Sequence, residues 1–170
     1  MTSSAPPSQA AAAEGRTGRR RARLAELGLV LHGPHAPHEP LLSVVIHNGV
    51  AHVSGQLPRI DGRITCLGQL GTTVSVAEAV VAAEVCALNA LAVLEEALGS
   101  LDRIEQFLRV TGFVASAPSF SEQPTVVDGA SNLLHRVFGD AGRHVRSAIG
   151  VAALPRGAEV EVELSVAVSP

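Results

Sequence analysis

The C-terminal segment 144–163 reads HVRSAIGVAALPRGAEVEVE. Its two apolar runs, within 145–153 and 160–168, predict β-strands on either side of a Leu-Pro-Arg-Gly turn. Each run carries an ionisable residue, Arg146 or Glu161, among small and apolar neighbours. Because a charge in an apolar strand is costly unless it is paired, solvated or used on a ligand, this segment is where we expect the functional site.

The residues before this segment predict alternating strands and helices. Asn48-Gly49, a strong hairpin signal, separates two apolar runs. Ser75 and Glu78 form a capping box at the start of a long apolar helix that Gly99 ends. The predicted elements are a short helix at 23–27, strands at 41–47, 50–56 and 63–67, the long helix, a doubly buried strand at 104–116 and a helix at about 125–138.

The main elements follow the order βββαβαββ, an α+β plan with two helices packed on one face of a mixed sheet. The other face keeps many apolar positions without a helix to cover them, which predicts a homo-oligomer closed by rotational symmetry. If the last two strands pair about Arg156, Glu161 lies opposite Val151 and points to the other face from Arg146. A shifted register, or a site shared by two subunits, would bring the two charges together, and the sequence leaves both open.

The N-terminus differs in composition from the rest of the chain. Residues 1–22 are rich in Ala, Ser and Pro and then in Arg, which predicts a disordered tail, with an organelle transit peptide as the alternative. Residues 23–170 are long enough for a single domain with its own core. The net charge is −3, and positive charge concentrates in the tail, so the folded part is more acidic than the whole chain. Because a nucleic-acid surface usually needs a basic stripe, often with aromatic side chains, and the chain has no Trp or Tyr, we expect no nucleic-acid partner.

Other chemistries find less support in the sequence. The apolar segment 76–98 contains four glutamates and an asparagine, so we expect no membrane span. Cys66 and Cys86 are expected to be free thiols in a reducing cytoplasm. His32, His35 and His38 are close in sequence, but the glycine and prolines between them disfavour a fixed tetrahedral site, and we predict no metal and no cofactor.

Several blocks of the sequence together resemble the RidA family, also called YjgF-type or L-PSP endoribonuclease-like proteins. They are Val53-Ser54-Gly55-Gln56-Leu57-Pro58, Thr111-Gly112-Phe113-Val114, Asp128-Gly129-Ala130-Ser131 and Arg146-Ser147-Ala148 with Val151-Ala152-Ala153-Leu154-Pro155. The resemblance covers roughly residues 41–168 and is that of a divergent branch. It implies a chorismate-mutase-like fold and a homotrimer in which three sheets form a central barrel, with ligand clefts between subunits.

The resemblance also implies an activity and its residues. Members of the family hydrolyse reactive enamines and imines to a ketoacid and ammonia, and others were named ribonucleases. Arg146 matches the arginine that holds the substrate carboxylate, and Glu161 matches the glutamate that positions the attacking water. Ser54, Gly55, Ser147 and Ala148 fall at the positions that surround the ligand. These residue types suit the reaction, since the guanidinium of an arginine can donate two parallel hydrogen bonds to a carboxylate, and the carboxylate of a glutamate can accept a proton from water.

Alternative interpretations remain for each residue. Arg146 could pair with Glu161 or Glu163 on the surface, and the alternation of Glu159, Glu161 and Glu163 is typical of the polar face of an edge strand. Ser54-Gly55 could be a tight strand end. Leu41 and Ala148 stand where the family commonly has tyrosine and cysteine, and Ser131 stands near its helix asparagine. These departures favour, as the alternative to a deaminase, a non-catalytic protein that binds a small metabolite.

Overall fold

The computed structural model describes residues 18–33 and 39–170, so most of the predicted tail lies outside the described residues. Helix α1 spans Arg19–Glu26 and therefore begins four residues before the predicted helix, within the segment assigned to the tail. Arginines of α1 bind acidic residues that lie far along the chain: Arg21 pairs with Glu95, and the backbone N–H of Arg20 donates to Asp102. These tertiary contacts extend the helix, and no local sequence pattern contains them.

The first hairpin forms as predicted. Strand β1 (Val44–His47) pairs antiparallel with β2 (Val50–Gln56), and the turn residues Asn48 and Gly49 have φ of 49° and 74°. These left-handed angles are the ones that an Asn-Gly hairpin turn uses. The third predicted strand is much shorter than 63–67: β4 (Arg63–Ile64) pairs only with β3 (Arg59–Ile60), in a small separate sheet.

Helix α2 (Val76–Leu98) confirms the predicted long helix and both of its ends. Ser75 Oγ accepts from the Glu78 N–H, Glu78 accepts from the Ser75 N–H, and Gly99 adopts φ 75° at the C-terminus. The helix is long enough to cross a membrane, and an 18-residue stretch of it reaches a mean hydropathy of 1.8. However, 61% of that stretch is buried within the fold. Such burial is that of a core helix rather than of a helix exposed to lipid.

The C-terminal half completes a five-stranded mixed sheet, which confirms the α+β prediction. Its elements are β5 (Ile104–Ala115), α3 (Gln123–Phe138), β6 (Val145–Val151) and β7 (Val160–Val168). The strand order is β1-β2-β7-β5-β6, with β5 and β6 parallel and the other pairs antiparallel. Helices α2 and α3 pack on one face, where Gly112 of β5 leaves room for Val127 of α3.

The last two strands do not form the predicted hairpin, because β5 lies between β6 and β7. The unit β5-α3-β6 is a crossover that places β6 parallel to β5, and residues 152–159 then carry the chain past β5 to its other side. The Leu-Pro-Arg-Gly segment is therefore a crossing between strands that are not neighbours. Apolar strand patterns do not encode which strand lies next to which, so the sequence could not exclude the hairpin.

The face of the sheet opposite the helices is less apolar than predicted. Val45 and Ile149 are exposed there, but His52, Arg109 and Glu163 are exposed as well. The predicted homotrimer with a central barrel stays a prediction, and this mixed face is the surface that it would cover.

Candidate functional site

Ser54 and Gly55 form an irregularity in β2 that makes space for Glu161. The pairing of β2 with β7 shifts register between Val53 and Gln56, which is a β-bulge. A Cβ atom placed on Gly55 would lie only 1.7 Å from Glu161 Oε1. Glycine is thus required for the Glu161 carboxylate to occupy its position, and the structure brings these three predicted site residues together.

A cavity of about 770 Å³ opens beside this bulge. Residues that line the cavity include Leu41, Ser54, Gly55, Arg59, Arg156 and Glu161. Leu41 is 64% exposed and stands where the family resemblance expects tyrosine, so an apolar wall replaces a hydroxyl at the cavity. A cavity of this size suits a small organic ligand.

Glu161 is half-buried in β7 and has an unusual environment for a carboxylate. Desolvation raises its pKa, the neighbouring charge of Glu163 raises it further, and Arg59 opposes the shift. Strand β7 lies between β2 and β5, so the edge-strand interpretation of the three alternating glutamates is wrong. Glu163 is exposed, whereas Glu159 is fully buried and desolvation raises its pKa to about 7.

Arg146 lies on the helix-facing side of the sheet and is held by α3. Its Nη1 donates to Asp128 Oδ1 (2.7 Å) and to Ser131 Oγ (3.0 Å), and its Nη2 donates to the Pro124 carbonyl (3.3 Å). The surface pair with Glu161 or Glu163 is therefore wrong, since Asp128 is the acidic partner. Nη2 is thus already engaged, and among the described residues only Nε–H has no acceptor and is left to donate to a ligand carboxylate.

Ser131 connects Arg146 to His144. His144 Nδ1 lies 2.7 Å from the Gly142 carbonyl, which can only accept, so Nδ1 carries a proton. Desolvation lowers the His144 pKa, and the charge of Arg146 lowers it as well, which favours the neutral ring. The Ser131 hydroxyl then donates to His144 Nε2 (3.0 Å) while it accepts from Arg146. Ser131 is thus one of the α3 residues that contact the arginine, with Asp128 and Pro124.

The two predicted key residues do not share a cleft within one chain. Arg146 lies across from Val110, and Glu161 lies across from Phe113, on positions of opposite parity in β5. They therefore point to opposite faces of the sheet. This separation, expected if the strands paired about Arg156, holds although the pairing itself is different.

The remaining predicted binding residues divide between the two faces. Ala148 lies across from Gly112 on the helix-facing side, with Arg146. Ser147 lies on the other side, where its hydroxyl accepts from Arg109 (2.9 Å). Neither residue lines the large cavity.

Three cavity residues were missed by sequence reasoning. Arg59 and Arg156 each end a Leu-Pro-Arg tripeptide, a repetition visible in the sequence, and Asn89 is the one amide in the apolar α2. Asn89 Nδ2 donates to the carbonyls of Leu57 (2.9 Å) and Arg59 (3.0 Å) and so fixes the segment that carries Arg59. The position of an amide within an apolar helix was the sequence signal that could have identified Asn89 as a cavity residue.

The histidine cluster is only partly described. His32 lines the cavity, while His35 and His38 lie outside the described residues. Within residues 18–33 and 39–170, no group of three or more His, Cys, Asp or Glu side chains is placed to hold a metal ion. Cys66 and Cys86 are free thiols, and burial raises the pKa of both.

Comparison with known proteins agrees with this architecture. Residues 22–165 match the family model described as "YjgF/chorismate mutase-like, putative endoribonuclease". The chain is 45% identical over 151 residues to Protein TCP17 of Trypanosoma cruzi, covering 88% of this chain and 94% of that protein.

Two solved structures have the same fold over nearly their whole length. Protein Atu1372 of Agrobacterium tumefaciens, whose function is unknown, superimposes with a TM-score of 0.87 at 40% identity, covering 95% of this chain and 100% of that one. A Shewanella oneidensis protein with the same endoribonuclease description gives a TM-score of 0.85 at 34% identity, covering 88% and 99%. The chain therefore belongs to the YjgF/chorismate-mutase-like family, which includes the RidA proteins.

Proposed function

We propose that the protein hydrolyses small reactive imines and enamines that carry a carboxylate, giving a ketoacid and ammonia. The observation that carries the proposal is the pairing of a desolvated carboxylate, Glu161, with a glycine that the carboxylate requires, at the wall of a cavity. A glutamate with a raised pKa is a stronger base than an ordinary one and is better matched to chemistry near neutral pH.

The chemistry needs only water and these side chains. The substrate carboxylate accepts from Arg146, whose Nε–H has no acceptor among the described residues, while Glu161 accepts a proton from water as the water oxygen bonds to the imine carbon. Glu161 returns this proton to the substrate nitrogen, and it then transfers the proton of the new hydroxyl group to the same nitrogen, so that the carbon–nitrogen bond breaks and ammonia leaves as the carbonyl forms. Ser54, beside the bulge, offers a hydroxyl to the bound acid. No cofactor is required in this scheme, and we place it in a reducing cytoplasm.

The site is composite in this proposal. Since Arg146 and Glu161 point to opposite faces of one sheet, a substrate that touches both is bound between two chains. A homotrimer with rotational symmetry repeats the same interface three times and gives three such clefts.

The test is the release of ammonia from a freshly generated 2-iminoacid. We expect Arg146→Ala to lower kcat/KM by about a hundredfold, since a charge-assisted contact is lost. Activity should fall as the pH drops through the raised pKa of Glu161, because the protonated carboxyl cannot accept from water. Arg143→Ala, which removes an exposed arginine that pairs with Asp140, is the control. Equal rates for wild type, Arg146→Ala and buffer would refute the proposal.

The second candidate is a non-catalytic protein that binds small ketoacids. It is favoured by the apolar Leu41 at the cavity and by Ala148 beside Arg146, where the family commonly has reactive or polar groups. Calorimetry with pyruvate separates the two: binding that is lost in Arg146→Ala, without any ammonia release by wild type, would select this candidate.

A further inference from the structure

Two arginines outside the residues that the family resemblance supplies face the cavity with Glu161. Arg59 begins β3 and Arg156 lies in the turn Pro155–Gly157, and both line the cavity. Among the described residues, neither guanidinium donates a hydrogen bond or lies within ion-pair distance of an acid. The cavity's own carboxyl groups, Asp61 and Glu161, do not pair with them.

The two arginines are close enough to act on each other. Desolvation lowers the pKa of Arg59, the charge of Arg156 lowers it further, and Glu161 opposes this. Two like charges beside a partly desolvated cavity repel each other, and a bound anion removes that repulsion. A planar guanidinium is also the cation best suited to a carboxylate or a phosphate.

The backbone at each arginine has an unusual feature: Arg156 adopts a strained conformation, and the Arg59 carbonyl is held by a buried side chain. Arg156 has φ 59° and ψ 17°, a left-handed conformation that is unfavourable for a residue with a side chain. Strain of this kind concentrates at functional sites. Arg59 is supported from behind by Asn89, which is 8% exposed and bonds the Arg59 carbonyl.

From this arrangement we infer that Arg59 and Arg156 bind a second anionic group, a carboxylate or a phosphate, on the substrate. The inference rests on the proposed function and narrows its substrate class to imines and enamines with two acidic groups. Arg146 of one chain binds the carboxylate next to the imine carbon, and the arginine pair beside Glu161 binds the distal group. The cavity of about 770 Å³ leaves room for such an extension, since pockets of this size hold ligands much larger than a simple iminoacid.

The test begins with binding, which needs no turnover. Calorimetry compares 2-oxoglutarate, with two carboxylates, and pyruvate, with one. We expect 2-oxoglutarate to bind wild type at least tenfold more tightly, and Arg59→Gln and Arg156→Gln each to remove most of that difference while pyruvate binding changes less than twofold. Competition by inorganic phosphate at millimolar concentration would identify the distal group as phosphate, and its absence would identify a carboxylate.

Two further variants distinguish a loss of anion binding from a loss of folded structure. Arg63→Gln removes an exposed arginine from the same small hairpin but not from the cavity lining, and it should leave both affinities unchanged. Arg156→Gly relieves the left-handed strain, so it should raise Tm while it lowers 2-oxoglutarate affinity. A structural role for Arg156 predicts that these two quantities change together instead.

The outcomes separate this inference from the proposed function. If wild type releases ammonia equally from iminoacids with one and two acidic groups, and Arg59→Gln changes neither, the deaminase proposal stands and the anion site is wrong. If no iminoacid is turned over but 2-oxoglutarate binding depends on Arg59, the anion site stands and the deaminase proposal fails. Equal binding of pyruvate and 2-oxoglutarate would overturn the inference directly.

Discussion

The environment of Arg146 and the cavity that contains Glu161 show two different ways to position a charge. Arg146 is held within the chain by Asp128, Ser131 and a backbone carbonyl, and its Nε–H has no acceptor among the described residues. At the cavity, the Glu161 carboxylate fits only because Gly55 has no side chain. The first region is organised by hydrogen bonds and the second by excluded volume, so they should respond differently to substitution.

The largest expected effect comes from separating the two regions onto different chains. Arg146→Ala and Glu161→Gln should each lower turnover by about a hundredfold or more. When the two inactive variants are unfolded together and reassembled in equal amounts, a composite cleft can form from the intact half of each. Random mixing then restores about a quarter of the wild-type activity.

Mixing the folded proteins without reassembly is the control and should restore nothing. A reassembled mixture that stays inactive would contradict the composite site, because it would mean that Arg146 and Glu161 act within one chain or that one of them does not act at all.

The next effect tests excluded volume at the cavity. Gly55→Ala places a Cβ on the Glu161 carboxylate, which must rotate away because it is the end of a flexible side chain. The fold should survive, while kcat/KM falls by about tenfold to a hundredfold through misplacement of the base. Ammonia release and circular dichroism measure the two quantities.

Gly33→Ala is the matched control, since Gly33 lines the same cavity but an added Cβ there meets no atom of the described residues within 4 Å. It should behave as wild type. Full activity in Gly55→Ala would show that the position of Glu161 in this structure is not the active one.

The smallest effect on turnover is expected at Glu159, which is two residues from Glu161 but does not line the cavity. Its pKa is about 7 when folded and near 4.5 when unfolded, so the folded state holds its proton more strongly. The free energy of unfolding should therefore decrease as the pH rises from 4.5 to 7, by roughly 2–3 kcal/mol from this residue. Urea unfolding of Glu159→Gln at several pH values should show a curve without that decrease.

Glu163→Gln, which changes an exposed glutamate of the same strand, should keep the wild-type pH dependence of stability. If Glu159→Gln instead lowers turnover as strongly as Glu161→Gln, the distinction between a buried structural carboxyl and a cavity carboxyl is wrong.

Much of the fold followed from local sequence patterns, whereas the predicted site residues came from the family resemblance. The Asn48-Gly49 turn and the capping box of Ser75 and Glu78 were predicted correctly because each is a short-range geometric requirement. Ser54, Gly55 and Glu161 were predicted as site residues, and the structure places them side by side. The full extent of α1 was missed because its contacts are made with distant residues.

The sequence by itself determined the element types, the family and the identities of the charged residues in the C-terminal segment. Only the tertiary structure decided where those charges point. The insertion of β5 between β6 and β7 makes β7 a central strand, buries Glu159, and brings Arg156 to the cavity that Arg59 lines. Periodicity fixes which face of a strand a residue occupies, but the neighbour of each strand depends on contacts between distant segments, and those contacts decide which residues form a site.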